Sequence, residues 1–452
     1  MGQQIEALAR FVAETQLEQV PDAVQRHAKL VMLDTLGVIL AGASRPEVHE
    51  LRQRLGTTAG TGATVFAPGW PTQDPRTAAL LNGIAGRSLE LGEGHRYVSY
   101  QGAMQIAPGV LSVGEWALSS GREMLTALIL GYDAGARIAA AMTPRALAHQ
   151  NGQAALLGAA AAGARLRGLN ASETSRTMRI AATLVLTPSY NNAVNGATAL
   201  NVAGGMSGYA LVLAPDLALA GFTAQDDAIE EALASLVGDG FRPSGLLEAL
   251  GTRWEITRNW FRLRACCNPI YAALDALEEA LAALRPAGPD EIERIDVATF
   301  GFAAVMRNPD PPNYFASKYS LPHAAACLVV NGNTGYGSLD DAALGNPVIA
   351  ALRHRVHVTE DVTMTATVPR LKPARVTLTL KDGRQSVHTC DSPRGDCLDP
   401  YAESEIREKF SELAGAVLTP EGVERVEKAV SRMEQWTSAL ELTEILRRHG
   451  RD

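Results

Sequence analysis

The chain has 452 residues, of which 46% are hydrophobic, 20% are charged and 5% are aromatic, and its formal net charge at pH 7 is −8. This length is too great for one hydrophobic core and favours two domains. The acidic balance excludes nucleic acid as the default partner, because duplex binding needs a clustered basic face and no dense run of Lys or Arg occurs. Scarce aromatic residues beside abundant Ala and Gly favour closely packed helices over a β-sandwich.

The N-terminal segment, residues 1–16, is amphipathic and contains two Glu residues, so we do not expect a secretory signal. Apolar runs such as residues 154–162 are shorter than the ~20 residues that a membrane span needs. The five cysteines include the vicinal pair Cys266-Cys267, without a second pair at zinc-site spacing. We therefore expect a cytoplasmic protein with free, buried thiols, no bound metal and no membrane partner.

Apolar residues recur at helical spacing through most of the first 260 residues. This periodicity predicts helices over residues 23–40, 78–86, 124–141, 154–166 and 172–184. The glycine-rich segment 204–208 is expected to interrupt a further apolar helix. Small residues at these spacings allow helices to approach closely. No Gly-rich phosphate-binding motif follows a predicted strand, so the sequence does not support nucleotide binding.

The pattern changes after about residue 286, where Pro286-Ala287-Gly288-Pro289 ends the helical periodicity. Alternating polar and apolar residues predict strands over 292–299, 356–366 and 374–380, and the last strand leads into a hairpin turn. A helix over 320–331 is predicted from Ser320 as its N-cap and a proline in its first turn. Helical periodicity returns after residue 400, so an α+β segment is inserted into helical sequence.

The segment from Leu89 to His95 holds the most informative polar residues. Glu90, Glu93 and His95 occur within six positions, directly after a helix of small residues. Burial and neighbouring charges can move the pKa values of such groups toward neutrality, which suits proton transfer. The alternative interpretation is a polar helix end followed by a surface loop.

Several short segments, in this order, resemble the 2-methylcitrate dehydratase / cis-aconitate decarboxylase (MmgE/PrpD) family over nearly the whole chain. They are residues 33–37, 82–83, 121–123, 131–133, 265–267, 275–276, 317–322, 394–396, 399–400 and 409–410. The resemblance implies a mainly α protein, with an all-helical large domain and a smaller α+β lid domain inserted before the C-terminal helices. It also implies a homodimer, no metal or organic cofactor, and reactions that dehydrate, decarboxylate or epimerise small polycarboxylates.

We place the helical domain at residues 1–268 and the α+β lid domain at 269–399. Residues 400–452 are predicted to form C-terminal helices that return to the helical domain. The partners expected from this organisation are a small-molecule substrate and a second copy of the chain.

The chain departs from the family pattern at several active-site positions. The family's Asp-Phe-Asp-Asp-Thr segment aligns with residues 90–94, where two carboxylates remain and Gly94 replaces the Thr. Gln101 replaces a His, and the family's Lys-Arg-Leu segment falls near residues 197–200, which contain no cation. Arg262 replaces a Lys and Tyr271 a second His, whereas His149 and Lys318 match the pattern.

The candidate catalytic residues are His95, His149, Glu93 and Glu90. The candidate substrate-binding residues are Arg262, Lys318, Ser320, Gln101, Tyr190 and Tyr271. Imidazole titrates nearest to neutral pH, and a guanidinium group suits a carboxylate ligand. Ser320 could also serve only as a helix cap, and Gln101 can donate a hydrogen bond but cannot shuttle a proton. We expect both histidines to project into a pocket between body and lid, with Arg262 or Lys318 supplying positive charge.

Three functions are compatible with these residues. The first is a cofactor-independent lyase or isomerase that moves a proton on a small carboxylate-containing metabolite, by epimerisation, double-bond migration or elimination. The second is a dehydratase or decarboxylase of a 2-methylcitrate- or cis-aconitate-like polycarboxylate, and the third is a non-catalytic homologue that binds a metabolite. The retained His and Glu residues favour the first over the third. The lost imidazole and lysines argue against the second, because a developing carboxylate charge needs such donors.

Overall fold

The computed structural model of the protein describes residues 2–56 and 62–451. It divides into two compact units. We name the first the helical unit; it comprises Met1–Tyr190, Ala199–Trp260 and Ala402–Asp452. We name the second the mixed unit; it comprises Asn191–Thr198 and Phe261–Tyr401.

Helices make up most of the chain, which confirms the predicted mainly α fold. Before residue 261 the helices are α1 (Gly2–Glu14), α2 (Asp22–Gly42), α3 (Pro46–Leu55), α4 (Pro75–Arg87), α5 (Ala103–Trp116), α6 (Gly121–Ala141), α7 (Ala154–Leu166), α8 (Ala171–Ala181), α9 (Tyr190–Val194), α10 (Val202–Leu219) and α11 (Ala228–Glu231). Between residues 261 and 401 they are α12 (Tyr271–Leu284), α13 (Gly301–Ala304), α14 (Tyr314–Ser317), α15 (Leu321–Asn331), α16 (Asp341–Leu344), α17 (Pro347–Arg353) and α18 (Val362–Thr365). The last three are α19 (Glu403–Gly415), α20 (Pro420–Ser431) and α21 (Leu440–Arg448).

The strands are few and short outside the mixed unit. They are β1 (Gly94–His95), β2 (Met142–Pro144), β3 (Gly238–Phe241), β4 (Asn259–Trp260), β5 (Ile292–Thr299), β6 (Val356–Glu360), β7 (Ala374–Leu380) and β8 (Gln385–Cys390). In the helical unit, β1 pairs with β4 and β2 pairs with β3, both antiparallel. These two small pairs are a departure from the all-helical domain that the sequence predicts.

The core of the helical unit is formed by α4, α5, α7 and α10, which pack against one another, while α6 packs against α7. The helices predicted from apolar periodicity are confirmed. The expected interruption at residues 204–208 is wrong, because α10 runs through that segment. Its glycines instead permit close packing: a Cβ atom added to Gly83 of α4 would lie 2.7 Å from the Cα of Gly205. By length and composition alone, α6 and the stretch Thr198–Leu219 could cross a membrane.

The mixed unit contains a four-stranded sheet in the order β6-β5-β7-β8. Strand β5 is parallel to β6 and antiparallel to β7, which pairs antiparallel with β8, and α12 packs on β7 and β8. The predictions of β5, β7 and α15 are confirmed. The predicted strand over 356–366 is wrong beyond Glu360, because the Asp361 carboxylate accepts the backbone N–H groups of Thr363 and Met364 and starts a helical turn.

A buried ion pair joins distant parts of the helical unit. The Lys409 ammonium in α19 donates to Asp34 Oδ1 in α2 at 2.6 Å and to the backbone oxygen of Leu91 at 2.7 Å. Asp34 is fully buried. Because one cation satisfies both acceptors, it fixes the segment after α4 against two helices that are remote in sequence.

We expect Gly163→Ala to lower the free energy of unfolding by about 1–3 kcal/mol. The added methyl group would meet the backbone oxygen of Leu211 in α10 and push α7 away. Urea unfolding followed by circular dichroism measures the change. Gly415→Ala is the matched control, because nothing lies within 4 Å of a Cβ atom added there. Equal losses of stability in the two variants would contradict close packing of α7 on α10.

We expect Lys409→Met to destabilise the protein by about 3–5 kcal/mol, because it leaves the Asp34 carboxylate buried without its cation. The double variant Asp34→Asn/Lys409→Met should recover a large part of that loss, and unfolding in urea measures both. Lys381→Met, at an exposed position, is the control for loss of a lysine. Additive effects of the Asp34 and Lys409 substitutions would show that the two side chains do not interact.

Candidate active site

The segment from Leu89 to Arg96 is buried throughout, so the surface-loop interpretation is wrong. Pairing of β1 with β4 places Gly94 opposite Trp260, and the Trp260 indole N–H donates to the backbone oxygen of His95 at 2.9 Å. A Cβ atom added to Gly94 would overlap the Trp260 ring. The indole therefore explains why glycine stands at the position where the family pattern has a Thr.

Glu90 lies at a strained point of this segment. Its φ angle is +54°, in the left-handed region that non-glycine residues rarely adopt. Its carboxylate forms a buried ion pair with Arg87, at the end of α4. The ion pair holds Glu90 in this backbone conformation, and the guanidinium of Arg87 compensates the charge of the carboxylate. Glu90 thus anchors the segment to the end of α4.

Glu93 is a buried carboxyl group at the N-terminus of α5. Its Oε1 accepts the Ala103 backbone N–H at 2.9 Å, and its Oε2 accepts the Tyr132 hydroxyl at 2.8 Å. Burial raises the pKa of Glu93 to about 7, although both hydrogen bonds oppose that rise. A carboxyl group with this pKa can release and bind a proton near neutral pH.

His95 is held by protein groups at both ring nitrogens. Nδ1 accepts the Tyr97 backbone N–H at 3.2 Å, so Nε2 carries the proton that is shared with Glu255 Oε2 at 3.0 Å. Burial lowers the pKa of His95, and Glu255 opposes this. For Glu255, burial acts to raise the pKa, but hydrogen bonds from His95 and Arg253 outweigh it and lower the pKa to about 2.

Gln105, in the first turn of α5, connects Gln101 to the turn that carries His149. Its amide nitrogen donates to the backbone oxygen of Gln101 at 2.7 Å, and its Oε1 accepts the Gly152 backbone N–H at 2.8 Å. Oε1 also accepts the Ser207 hydroxyl of α10 at 2.9 Å. The side-chain oxygen of Gln101 is buried and has no hydrogen-bond partner.

His149 is 3% exposed and lies in the turn before α7. Its Nδ1 accepts the Asn151 backbone N–H at 3.2 Å, which places the proton of the neutral ring on Nε2. The ring stacks on Tyr190, with centroids 5.6 Å apart and planes 14° from parallel. The orientation of His149 is thus set by the backbone on one side and by an aromatic face on the other.

The mixed unit holds the other candidates. The Lys318 ammonium pairs with Asp340 at 2.9 Å, and the backbone oxygen of Lys318 accepts the Cys267 N–H at 2.8 Å. Burial raises the pKa of Cys266 to about 12, although the nearby charges of Arg264, Arg262 and Lys318 lower it. The charges of Arg262 and Lys318 thus both act on the Cys266 thiol.

The two remaining candidates in the mixed unit make local contacts. The Tyr271 hydroxyl donates to the backbone oxygen of Arg264. Ser320 caps α15 by accepting the His323 N–H at 3.1 Å, and its hydroxyl donates to the backbone oxygen of Asn308 at 2.5 Å. The capping role that the sequence allows for Ser320 is confirmed.

The five cysteines are thiols, as the sequence predicts, but they differ in burial. Cys266, Cys267 and Cys327 are buried, whereas Cys390 and Cys397 are partly exposed. Over residues 2–56 and 62–451, no three His, Cys, Asp or Glu side chains are grouped so that they could hold a metal ion.

Five candidates of the helical unit thus lie around residues 93–105 and the turn at His149. They are Glu93, His95, Gln101, His149 and Tyr190. Glu90 is set apart in its pair with Arg87. Arg262, Tyr271, Lys318 and Ser320 lie in the mixed unit, and closure of one unit on the other stays a prediction.

Sequence reasoning missed Tyr132, Gln105, Glu255 and the Asp34–Lys409 pair. Three of these residues fall inside segments that carry the family resemblance, namely Asp34, Tyr132 and Lys409. The resemblance marks their positions as part of the family pattern but does not indicate what the side chains do. Gln105 lies four residues after Gln101, which precedes the N-cap of α5, and this spacing could have suggested that the two side chains are neighbours. Glu255 precedes β4 in a short 3₁₀ turn, and no local pattern links it to His95.

Comparisons with known proteins agree with this architecture. Residues 6–237 match the MmgE/PrpD N-terminal domain, and residues 265–435 match the MmgE/PrpD C-terminal domain. The cis-aconitate decarboxylase-like protein oryM of Aspergillus oryzae is 23% identical, over 97% of this chain and 96% of its own. Cis-aconitate decarboxylase of Aspergillus terreus is 22% identical, over 97% and 95% of the two chains.

Cis-aconitate decarboxylase of Mus musculus is 23% identical, over 98% of this chain and 93% of its own. The relatives are thus similar along nearly their full lengths and at low identity. The N-terminal match lies mostly in the helical unit, and the C-terminal match covers most of the mixed unit and continues into α19 and α20 of the helical unit. This chain belongs to the MmgE/PrpD family.

Proposed function

We propose that this protein is a lyase-type enzyme that moves a proton on a small carboxylate-containing metabolite without a cofactor. The observation that carries the proposal is that one helix end holds both a buried carboxyl group and a buried imidazole. Glu93 binds the first N–H of α5, and Gln105 of the same helix holds the turn that bears His149. Two groups suited to proton transfer are thereby fixed to one rigid element.

In this proposal Glu93 is the base. Its carboxylate takes the proton from the carbon next to the substrate's carboxyl group, and the electron pair moves onto the carboxyl oxygens. The charge that develops there needs hydrogen-bond donors that are already oriented. The Nε2–H of His149 is such a donor, because the Asn151 N–H binds Nδ1 and fixes the ring.

His95 is proposed as a positioning residue rather than a proton carrier. Both of its ring nitrogens are engaged, by Tyr97 and Glu255, and the indole of Trp260 holds its backbone oxygen. Its contacts therefore fix the segment that presents Glu93.

A second candidate is decarboxylation of a cis-aconitate-like polycarboxylate, and it is favoured by the similarity to cis-aconitate decarboxylases. The hydrogen-bonding groups around His149 argue for fewer carboxylates, since Gln101, Gln105 and Asn151 are neutral. Incubation with single acids in D₂O separates the candidates by NMR. Deuterium at a substrate C–H supports the proposal, loss of CO₂ from cis-aconitate supports the second candidate, and neither change across mono-, di- and tricarboxylates contradicts enzymatic function.

We expect the rate of deuterium incorporation at low substrate to rise about tenfold per pH unit below pH 7 and to level off above it. The reason is that the pKa of Glu93, about 7, keeps the carboxyl protonated and inactive as a base at lower pH. Glu93→Gln should remove this pH dependence and lower the rate by about 10²–10⁴-fold. The same rising limb in Glu93→Gln would assign the base to another residue.

We expect His149→Gln to lower kcat for deuterium incorporation by about 10²-fold or more, with a smaller change in KM, because the donor acts on charge in the transition state. His354→Gln is the control, since this exposed histidine of the mixed unit pairs with the exposed Asp310 carboxylate. Unchanged kcat in His149→Gln, with a native circular dichroism spectrum, would exclude His149 from the chemistry.

A further inference from the structure

The ring of Tyr132, in α6, is fully buried and held by contacts with two neighbours. The Tyr100 ring meets it edge-on, with centroids 5.1 Å apart and planes at 84°, an arrangement that aromatic pairs favour. The Tyr100 hydroxyl also donates to the backbone oxygen of Tyr132 at 3.2 Å. The Tyr132 ring packs directly on Gly102, where an added Cβ atom would lie 2.7 Å from its Cδ2 atom. These contacts leave the phenol little freedom to change its orientation.

The position of Tyr132 is tied to the turn that binds Glu93. Gly102 is the N-cap residue of α5, and the next residue, Ala103, donates its N–H to Oε1 of Glu93 at 2.9 Å. The Tyr132 hydroxyl donates to Oε2 of the same carboxyl group at 2.8 Å. One oxygen is therefore bound by the start of α5, and the other by a ring that packs on that start. Two donors on two oxygens fix the plane of the carboxyl group.

Burial has the largest effect on the pKa of Glu93, which it raises, and three side chains modify this effect. Asp34 of α2, which is paired with Lys409 of α19, raises the pKa further by its negative charge. Tyr132 of α6 and Asn259 of β4 lower the pKa by hydrogen bonds, and Tyr132 has the larger effect of the two. Tyr132 is thus the main side chain that favours the carboxylate over the carboxylic acid.

Tyr132 itself remains a donor at neutral pH. Burial raises the pKa of its phenol well above the ordinary value, and the charge of Glu93 adds to the rise. Burial raises the pKa of Tyr100 as well. A neutral hydroxyl stabilises a carboxylate more than a carboxylic acid, because hydrogen bonds to charged acceptors are the stronger ones.

We propose that Tyr132 is a positioning residue of this enzyme, which fixes the orientation of the Glu93 carboxyl group and favours its ionised form. The proposal rests on the proposed function, because it assigns the control of the base in that reaction. It adds a residue that acts through Glu93 and takes no proton from the substrate itself. Its role is to keep the base available at a pH where burial alone would leave most of it protonated.

The first test measures the titration of Glu93 without any substrate. Infrared difference spectra between the full-length protein and Glu93→Gln isolate the C=O stretch of the protonated Glu93 carboxyl, whose intensity is followed against pH. We expect Tyr132→Phe to raise the midpoint by about one pH unit. Tyr100→Phe is the matched control, because it also removes a buried tyrosine hydroxyl, but one that donates to a backbone oxygen. An unchanged midpoint in Tyr132→Phe, or equal shifts in both variants, would overturn the proposal.

The second test is the pH profile of deuterium incorporation at low substrate. Midpoints of about 7 and 8 leave about one half and one tenth of the carboxyl groups ionised at pH 7, so Tyr132→Phe should lower the rate about fivefold there. The rate should return close to that of the unchanged protein two pH units higher. A loss of the same size at every pH, with the rising limb unmoved, would assign Tyr132 a purely structural role and overturn the proposal.

A third variant keeps the shape of the ring. A fluorinated tyrosine at position 132 retains the hydroxyl and makes it more acidic, so its hydrogen bond to Glu93 becomes stronger. The midpoint of Glu93 should then fall, opposite in sign to the shift in Tyr132→Phe. This variant remains informative if Tyr132→Phe does not fold, as judged by circular dichroism. A rise in the midpoint with the fluorinated residue would overturn the proposal.

The titration separates this proposal from the proposed function, because it needs no turnover. Midpoints that shift in opposite directions in the two Tyr132 variants, with no deuterium incorporation into any acid, would retain the role of Tyr132 toward Glu93 and reject the enzyme. Deuterium incorporation whose pH profile is the same in Tyr132→Phe would retain the enzyme and reject that role.

Discussion

The contact between Lys409, Asp34 and the Leu91 carbonyl is the constraint on which the rest of the candidate site depends. The cation comes from α19 and its counter-ion from α2, so the N-terminal and C-terminal parts of the helical unit meet at one ammonium group. Because that group also holds Leu91, the backbone between Glu90 and Glu93 is anchored at its midpoint. Buried pairs of this kind cost desolvation and are most useful where they fix one arrangement.

The two histidines of the helical unit share a local design and differ in what surrounds it. In each, Nδ1 accepts the backbone N–H two residues later, from Tyr97 for His95 and from Asn151 for His149. This contact selects the same tautomer twice. The Nε2–H of His95 donates to Glu255, whereas the ring of His149 lies against the flat face of Tyr190. The same local contact thus supports the segment at His95, and at His149 it orients the ring that we propose as a hydrogen-bond donor.

Structural features that depend on neighbouring residues can be predicted from this sequence, whereas features that depend on contacts between distant residues cannot. Helices such as α7, and strands such as β7, follow from local periodicity and were predicted with their bounds. Strand β6 was predicted too long, because a single capping carboxylate at Asp361 outweighs alternation. The importance of residues 89–95 could be read from their composition. Their partners could not, since Glu255 and Lys409 lie more than 150 positions away and meet the segment only through tertiary packing.

The fit of Trp260 against Gly94 limits the order in which these two positions can change in evolution. The indole fills the space that a side chain at position 94 would need, so the Thr of the family pattern cannot be restored here by one substitution. A smaller residue at position 260 would have to come first, and that change would also remove the hydrogen bond that holds His95. Replacement of Trp260 must therefore precede any larger residue at position 94, and that first step itself costs a hydrogen bond to His95. The aromatic ring makes loss of the glycine unfavourable, and the hydrogen bond to His95 makes loss of the ring unfavourable.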